Sequence, residues 1–316
     1  MGRTRAWAIA LALLAAGCSA GPVAAPVSSA PSSSPPPPES FTLVATGDVL
    51  VHQDRALTAG AEQPDGSYDF SAVFAPVAPL IEAADLAICH LETPVAPRGG
   101  PYRGYPSFAV QPEIVDALVG AGYDACTTAS NHSLDDGTAG LVRTLDTLDA
   151  AGIAHAGTYR SEAESLEPTL VDAGGVTVGL VAGTFGLNGV PLPTGREWSV
   201  DVAPAPDVDG VLAAASRART AGAEVVVASL HCCVEYRHDP TDDQVDAATA
   251  LLASPDVDLV LGHHAHVVQP IEAVAGSGWP TGSATTSRST RPAATRRRTR
   301  CWPASPSPVA RTAGSP

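Results

Sequence analysis

Five apolar segments of this chain each lead into polar side chains that can bind a metal ion. These side chains are Asp48, Glu92, Asn131 with His132, His231, and His264 with His266. A strand that finishes on such a residue delivers its side chain to one edge of a sheet, where α/β proteins commonly bind ligands. Five endings that combine carboxylate, amide and imidazole groups predict a polynuclear metal centre.

The segment His264-Ala265-His266 is the most specific of these indications. In an extended chain, side chains two residues apart point the same way, so both imidazoles can reach one centre while His263 faces away. His231 ends the most apolar predicted strand, and Glu235 follows it four residues later. Oxygen and imidazole ligands together fit Mn, Fe, Zn or Mg better than copper or an iron–sulfur cluster.

The other candidates are less specific when each is taken alone. An aspartate after a strand, such as Asp48, is commonly a turn or helix cap, and a surface carboxylate is the ordinary interpretation of Glu92. Asn131 supplies a neutral oxygen, and His132 supplies a nitrogen ligand or a proton donor. Their occurrence together, each after an apolar segment, favours a shared site.

The elements that must position these residues alternate between strands and helices. Runs rich in Val, Leu, Ile and Ala predict strands at 41–46, 85–90, 123–128, 169–173, 176–183, 224–230 and 257–261. Helices are predicted at 72–83, 111–120, 137–150, 207–221 and 242–253. The alternation predicts a mostly parallel, helix-covered sheet, with a hairpin where Gly174-Gly175 joins two strands. The expected fold class is a mixed α/β sandwich.

The N-terminal 40 residues carry signals of export rather than of a folded core. Residues 1–18 combine Arg3 and Arg5, a short apolar run and small residues before Cys18, which is typical of a lipoprotein signal peptide. A cleaved signal with an incidental cysteine is the alternative. Residues 19–40 are rich in Ser and Pro and predict a semi-rigid linker. We expect an exported protein, lipid-anchored at Cys18 to the extracytoplasmic face of the cell membrane.

The charge distribution divides the chain near Gly276. The first 275 residues hold 11 arginines and 33 acidic residues, whereas 276–316 hold seven arginines and no acidic residue. Taken literally, 276–316 is a disordered basic arm able to bind nucleic acid. We favour a different origin, given below, and expect no nucleic-acid partner.

Four cysteines lie between residues 41 and 275. In an exported protein they can form disulfides, and Cys89 with Cys126 is one pairing, since both lie near predicted strand ends. For the adjacent Cys232 and Cys233, a small buried pair or a disulfide is favoured over metal ligation by Cys233.

Residues 41–275 resemble the CapA family of bacterial poly-γ-glutamate capsule synthesis proteins. The resemblance lies in TLVATGDVLVH, DLAICHLETPV, TTASNHSLDDG, VVVASLHCCVEY and DLVLGHHAHVVQPIE, which occur in the family's order. It implies a four-layer αββα sandwich of the calcineurin-like metallophosphoesterase type. It also implies a site for two divalent ions and an anionic cell-envelope polymer, or its precursor, as partner.

Carried over residue by residue, the resemblance assigns six metal ligands and one general acid. His132 is the implied acid, Glu235 is a group in or beside the metal shell, and His263 is a candidate group beside it. The implied ligands are Asp48, Glu92, Asn131, His231, His264 and His266.

The chain departs from the family pattern at several positions. The family usually has Asn where His90 stands, Asn where Ser130 stands and Trp-Gly where Cys232-Cys233 stands. After Gly276 the resemblance stops, so we expect the chain to lack the family's last strands. Reading WPTGSATTS from the third base of each codon permits A-Y-G-L-G-N, close to the expected family strand, so we interpret 277–316 as translation after a frameshift. Resequencing the gene across codons 270–290 tests this interpretation.

Three functions are consistent with these sequence features. Metal-dependent hydrolysis of a phosphoester, or of an amide or ester of an acidic polymer, is the first. The second is a non-catalytic, metal-bearing factor that binds or exports the polymer. A relative made inactive by its altered motifs is the third.

Overall fold

The computed structural model describes residues 40–53 and 55–272, together with the backbone of 285–287. The predicted signal peptide, its Cys18, nearly all of the linker and most of the arginine-rich tail lie outside these residues. Every helix in the described residues is too short or too polar to cross a lipid bilayer. The described elements are, in chain order, β1 Leu43–Val49, α1 Ala56–Ala61, α2 Ser71–Phe74, α3 Ala78–Ile81, β2 Leu86–Leu91, α4 Glu113–Gly120, β3 Ala125–Thr127, α5 Gly137–Ala151, β4 Ala154–Ala156, α6 Glu162–Leu166, β5 Thr169–Ala173, β6 Val176–Thr184, a 3₁₀ turn Glu197–Ser199, α7 Asp209–Thr220, β7 Val225–His231, α8 Asp242–Ala253, β8 Leu259–His263 and β9 Thr285–Ser287.

These strands form two sheets. The first has the order β1-β2-β3-β4, and all of its neighbouring strands are parallel. The second has the order β5-β6-β7-β8-β9, with parallel pairs β6–β7 and β7–β8 between antiparallel edge pairs. The β5–β6 pair is the hairpin that Gly174-Gly175 predicted.

Buried side chains between and outside the sheets define four layers. Ile88 of the first sheet and Leu180 and Val227 of the second belong to one apolar cluster between the sheets. Leu145 of α5 lies in the cluster on the outer side of the first sheet, and Ala215 of α7 lies in the cluster outside the second. Helix, sheet, sheet and helix therefore follow one another, and the predicted α/β sandwich is confirmed.

The predicted elements differ from the observed ones mainly where they are short. The helix predicted at 72–83 is instead two short helices, because Pro76 lacks the backbone N–H that would continue α2, and Pro79 sits in the first turn of α3. Strand β4 and helices α1 and α6 were not predicted, because three to six residues carry too little periodicity. Part of the tail, Thr285–Ser287, forms a strand paired with β8.

In the described residues, two disulfides lie in or directly after the central strands. Cys89 and Cys126 are paired residues of β2 and β3 and are joined covalently, which confirms that prediction. Cys232 and Cys233, directly after β7, are joined to each other, so a disulfide forms there as favoured. Both bonds lie next to residues of the candidate site.

Candidate metal centre

Strand register places two rows of polar side chains opposite each other at one end of the sandwich. In the first sheet Asp48, His90 and Thr127 are neighbours across β1, β2 and β3. In the second sheet Thr184, His231 and His263 are neighbours across β6, β7 and β8. Residues at the same register of adjacent strands project from the same face, and contacts between the rows show that these faces meet.

Asp48, in the first sheet, contacts three histidines at and just after the end of β8 in the second sheet. Its Oδ1 lies 3.1 Å from His263 Nδ1, and its Oδ2 lies 2.9 Å from His266 Nδ1. The backbone N–H of His264 donates to Oδ2 at 3.1 Å. Burial opposes ionisation of Asp48, but the hydrogen bonds from His263 and His266 outweigh it and hold the pKa well below its usual value.

The expectation that His263 faces away is wrong. It assumed an extended chain, whereas His264 and His266 have left-handed backbone angles, with φ of 83° and 52°. This turn brings His263 onto Asp48 and still directs His264 and His266 to the same centre. Left-handed backbone is unfavourable for residues with a Cβ and is concentrated at functional sites.

Glu92 is a buried carboxylate with unsatisfied oxygens. Its side chain is 1% exposed, and neither oxygen has a hydrogen-bond partner among the described residues. Oε1 lies 3.9 Å from His266 Nε2 and 4.0 Å from His231 Nε2. Burial, and then repulsion from Asp48, raises the pKa of Glu92 well above its usual value. The buried Nδ1 of His264 is likewise without a partner in the described part of the chain.

The geometry yields three overlapping groups of possible ligands. Within each group the ligand atoms lie within 4.8 Å of one another. Asn131 adjoins them, since its Oδ1 lies 2.9 Å from His231 Nε2. The groups are Asp48 with His90 and His231, Glu92 with His231 and His264, and Asp48 with Glu92 and His266. The structure therefore has an Asp/Glu/His cluster able to hold divalent ions. The unpaired oxygens of Glu92 and the unpaired Nδ1 of His264 fit that use.

His90 belongs to this cluster, although in the sequence it stands out only as a departure from the family pattern. It is fully buried, and its Nε2 lies 2.9 Å from His231 Nδ1. Burial, together with the neighbouring imidazole of His263, lowers the pKa of His90 well below its usual value. The missed signal was its position two residues before Glu92, on the same side of the strand as that carboxylate.

His132 lies beside the cluster and is oriented by a second carboxylate. Its Nδ1 lies 2.7 Å from Asp135 Oδ2, which also accepts from the backbone N–H of Phe108 at 2.8 Å. The Phe108 ring packs edge-on against the His132 ring, with centroids 4.7 Å apart. Asp135 was not predicted, and the His-x-x-Asp spacing is the signal that indicates it. The pair resembles a general acid–base histidine and its orienting carboxylate.

Glu235 lies at the margin of the cluster. It is exposed and belongs to none of the three ligand groups, but its charge contributes to raising the pKa of Glu92 and of His266. The loop that carries it is joined to the histidine loop, because the backbone N–H of Tyr236 donates to Ala265 at 2.7 Å.

Several curated proteins are similar to this chain. PGA biosynthesis protein CapA of Bacillus subtilis is 28% identical over 212 residues, which are 65% of this chain and 53% of that protein. An uncharacterized protein, y4uA, of Sinorhizobium fredii is 33% identical over 155 residues, 46% of this chain and 30% of that protein. A probable polyglutamine synthesis accessory protein of Mycobacterium tuberculosis is 28% identical over 204 residues, 61% of this chain and 53% of that protein. The chain thus spans about half or less of the length of these relatives.

A solved structure and a family model complete the comparison. The crystal structure of calcineurin-like phosphoesterase YfkN from Bacillus subtilis superposes with a TM-score of 0.43 at 17% identity, covering 72% of each chain. The model of the bacterial capsule synthesis protein PGA_cap matches residues 42–280, about three quarters of this sequence. On that match, the chain belongs to the PGA_cap family of bacterial capsule synthesis proteins.

Proposed function

We propose that this chain is a metal-dependent hydrolase that acts on an anionic cell-envelope polymer or its precursor. One observation carries the proposal: ligand-type atoms from both sheets converge around Glu92, whose buried carboxylate has no partner in the described residues. A buried, unpaired carboxylate is costly unless a cation compensates it.

The residues that would hold two divalent ions are the six implied by the family resemblance. Their oxygen and nitrogen donors fit Mn, Fe, Zn or Mg. Bound divalent ions supply Lewis-acid polarisation of a phosphoryl or carbonyl oxygen. The six residues are Asp48, Glu92, Asn131, His231, His264 and His266.

The proton needed by the leaving group comes from His132 in this proposal. Asp135 accepts from Nδ1 and holds the ring, so that Nε2 is the nitrogen available to donate. Packing against Phe108 limits rotation of the ring.

The polymer and the location are taken from the family and from the N-terminal sequence. Capsule synthesis in the family favours poly-γ-glutamate or a related envelope polymer as partner. The signal at residues 1–18 favours export, with a lipid anchor at Cys18.

A phosphodiesterase assay combined with metal analysis tests the proposal. Purified protein is assayed with bis-p-nitrophenyl phosphate and p-nitrophenyl phosphate in the presence of Mn²⁺, and bound metal is measured by mass spectrometry. His264→Ala should lose bound metal and lower turnover on the order of 100-fold or more, because metal polarisation contributes several kcal/mol. His155→Gln, which changes a histidine paired with Asp149 on another part of the chain, is the matched control.

A non-catalytic polymer-binding factor is the second candidate. Residues 39–275 hold nine arginines and 33 acidic residues, a net charge of −24, so contact with a polyanion requires bound cations. Stoichiometric metal, metal-dependent binding of poly-γ-glutamate and no turnover of any ester would favour this candidate over the hydrolase.

A further inference from the structure

His90 forms a continuous hydrogen-bonded chain with three other buried side chains. Its Nδ1 lies 2.7 Å from Thr127 Oγ1, and its Nε2 lies 2.9 Å from His231 Nδ1. Ser229 Oγ donates to Thr127 Oγ1 at 3.1 Å. All four side chains are at most 1% exposed, so water cannot replace any of these bonds. This series of hydrogen bonds runs from the interior of the sandwich to the candidate metal centre.

The end of the chain at the metal centre fixes its direction. His231 Nε2 lies 2.9 Å from Asn131 Oδ1, and Asn131 is oriented by its Nδ2, which donates to Asn188 Oδ1 at 3.2 Å. An amide oxygen only accepts, so without a metal ion His231 carries its proton on Nε2. A neutral imidazole has one donor and one acceptor nitrogen. His231 Nδ1 therefore accepts from His90 Nε2, and His90 Nδ1 accepts from the Thr127 hydroxyl.

Metal binding at His231 Nε2 requires the opposite direction. A ligand nitrogen must present its lone pair, so the His231 proton must lie on Nδ1. The 2.9 Å contact allows this, because the proton on His90 Nε2 can pass to His231 Nδ1. His90 then carries its proton on Nδ1 and donates to Thr127 Oγ1, whose own hydrogen turns toward Ser229 Oγ.

We propose that His90 is a positioning residue whose two tautomers let His231 exchange a hydrogen bond to Asn131 for a metal ion while both ring nitrogens of His90 and of His231 stay paired. As the metal ion binds, the His231 Nε2 proton is released to solvent, the His90 Nε2 proton passes to His231 Nδ1, and His90 Nδ1 takes up one proton from solvent, so both imidazoles remain neutral and the number of protons is unchanged. The inference rests on the proposed function, in that His231 is taken as a metal ligand.

Two substitutions at His90 separate this role from simple packing. In His90→Gln the amide can present either its oxygen or its NH₂ group to His231, so both directions of the chain remain possible. In His90→Leu the volume is kept, but Nδ1–H of His231 has no acceptor once a metal ion binds. We expect Zn²⁺ affinity, measured by chelator competition on the full chain, to fall roughly 10- to 100-fold in His90→Leu. His90→Gln and the control His155→Gln should remain within about threefold of the wild type on the same scale.

Nitrogen NMR of histidine-labelled wild-type protein tests the tautomers directly and does not depend on a variant that folds. His90 and His231 signals are assigned in the wild type through correlations with their backbone resonances. Without metal, both rings should carry the proton on Nε2. With Zn²⁺, both rings should carry the proton on Nδ1. Of the nitrogens of these two rings, only His231 Nε2 should show the shift of a metal-bound nitrogen.

Three results would overturn the inference: unchanged tautomers on Zn²⁺ addition, a zinc-bound His90 nitrogen, or equal loss of affinity in His90→Gln and His90→Leu. A wild-type protein that binds no Zn²⁺, Mn²⁺ or Fe²⁺ would instead reject the proposed function. In that case the metal-free spectrum still tests the proposed directions of the hydrogen bonds. A proton on Nδ1 of either His90 or His231 without metal would contradict them.

Discussion

At the scale of single residues, unfavourable backbone conformations and unpaired polar groups occur together at the candidate metal centre. The five non-glycine residues with positive φ in the described part of the chain all lie in loops around it: Asn188, Cys233, Tyr236, His264 and His266. Each such residue costs on the order of 1–3 kcal/mol and persists only where the surroundings enforce it. Together with the unpaired carboxylate of Glu92, they indicate that this end of the molecule is organised for binding rather than for stability.

The proposed role of His132 as a general acid predicts an effect that depends on the leaving group. His132→Gln should lower kcat by roughly 10²- to 10⁴-fold for esters with a poor leaving group, which must be protonated as it departs. Nitrophenyl esters should be affected much less, since nitrophenolate leaves without a proton. The measurement is kcat for a series of phenyl phosphodiesters of differing leaving-group pKa, with bound metal measured in parallel. An equal fall for every ester, or loss of metal, would contradict the role as a general acid.

At the scale of elements, the segment around Asp201 forms hydrogen bonds to both sheets beside the candidate metal centre. The backbone N–H of Asp201 donates to Gly157, just after β4, and its carbonyl accepts from Thr184 at the end of β6. Its side chain accepts from Tyr159 Oη at 2.6 Å. Burial raises the pKa of Asp201 from 3.8 to about 6, although Tyr159 and Arg217 favour the charged form.

This raised pKa predicts a fall in stability as the pH increases. Between pH 3.8 and about 6 the folded protein holds a proton on Asp201 that the unfolded chain has released, so unfolding becomes easier with rising pH. The loss is on the order of 3 kcal/mol once the carboxyl is fully ionised. Asp201→Asn keeps an oxygen that can accept from Tyr159 and removes the titration.

Urea unfolding at pH 4.5 and pH 7 measures the effect. We expect Asp201→Asn to gain free energy of unfolding relative to the wild type as the pH rises across this interval. The same difference between the two proteins at both pH values would show that Asp201 does not titrate in that range.

At the scale of the whole molecule, negative charge dominates, and two arginines that could contact a polyanion are paired with carboxylates. The chain has a net charge of −15, even with the seven arginines after residue 275. Arg98 and Arg103 are close in sequence and are candidates for contacting a polyanion. The structure pairs Arg98 with Glu113 and Asp116, and Arg103 with Asp136. These two side chains therefore do not offer an uncompensated cationic surface.

The charge distribution predicts an unusual salt dependence for polymer binding. Labelled poly-γ-glutamate should bind only when divalent ions are present, and its affinity should increase between 10 and 150 mM NaCl, because salt screens the repulsion between like charges. Fluorescence anisotropy with Mn²⁺, and again with EDTA, measures this. Binding that instead weakens with salt and disappears on deletion of residues 277–316 would assign the contact to the arginine-rich tail.

The sequence by itself determined the fold class and the identity of most residues at the centre. Apolar strands need no distant partner to be recognised, and a polar residue at the end of each one marks the shared edge of a sheet. Asp48, Glu92 and His231 could therefore be predicted from local pattern. The link between Cys89 and Cys126 was one plausible pairing, and the structure selected it. Short elements such as β4 could not, because three residues carry no period.

Only the tertiary structure decided which way these side chains point and what they contact. The left-handed turns at His264 and His266 reversed the expected direction of His263, and backbone angles of that kind are imposed by contacts between loops. The meeting of His90 and His231 depends on two sheets packing face to face, across 141 positions of sequence. Local pattern contains no information on such a contact, because it arises from the register of one sheet against the other.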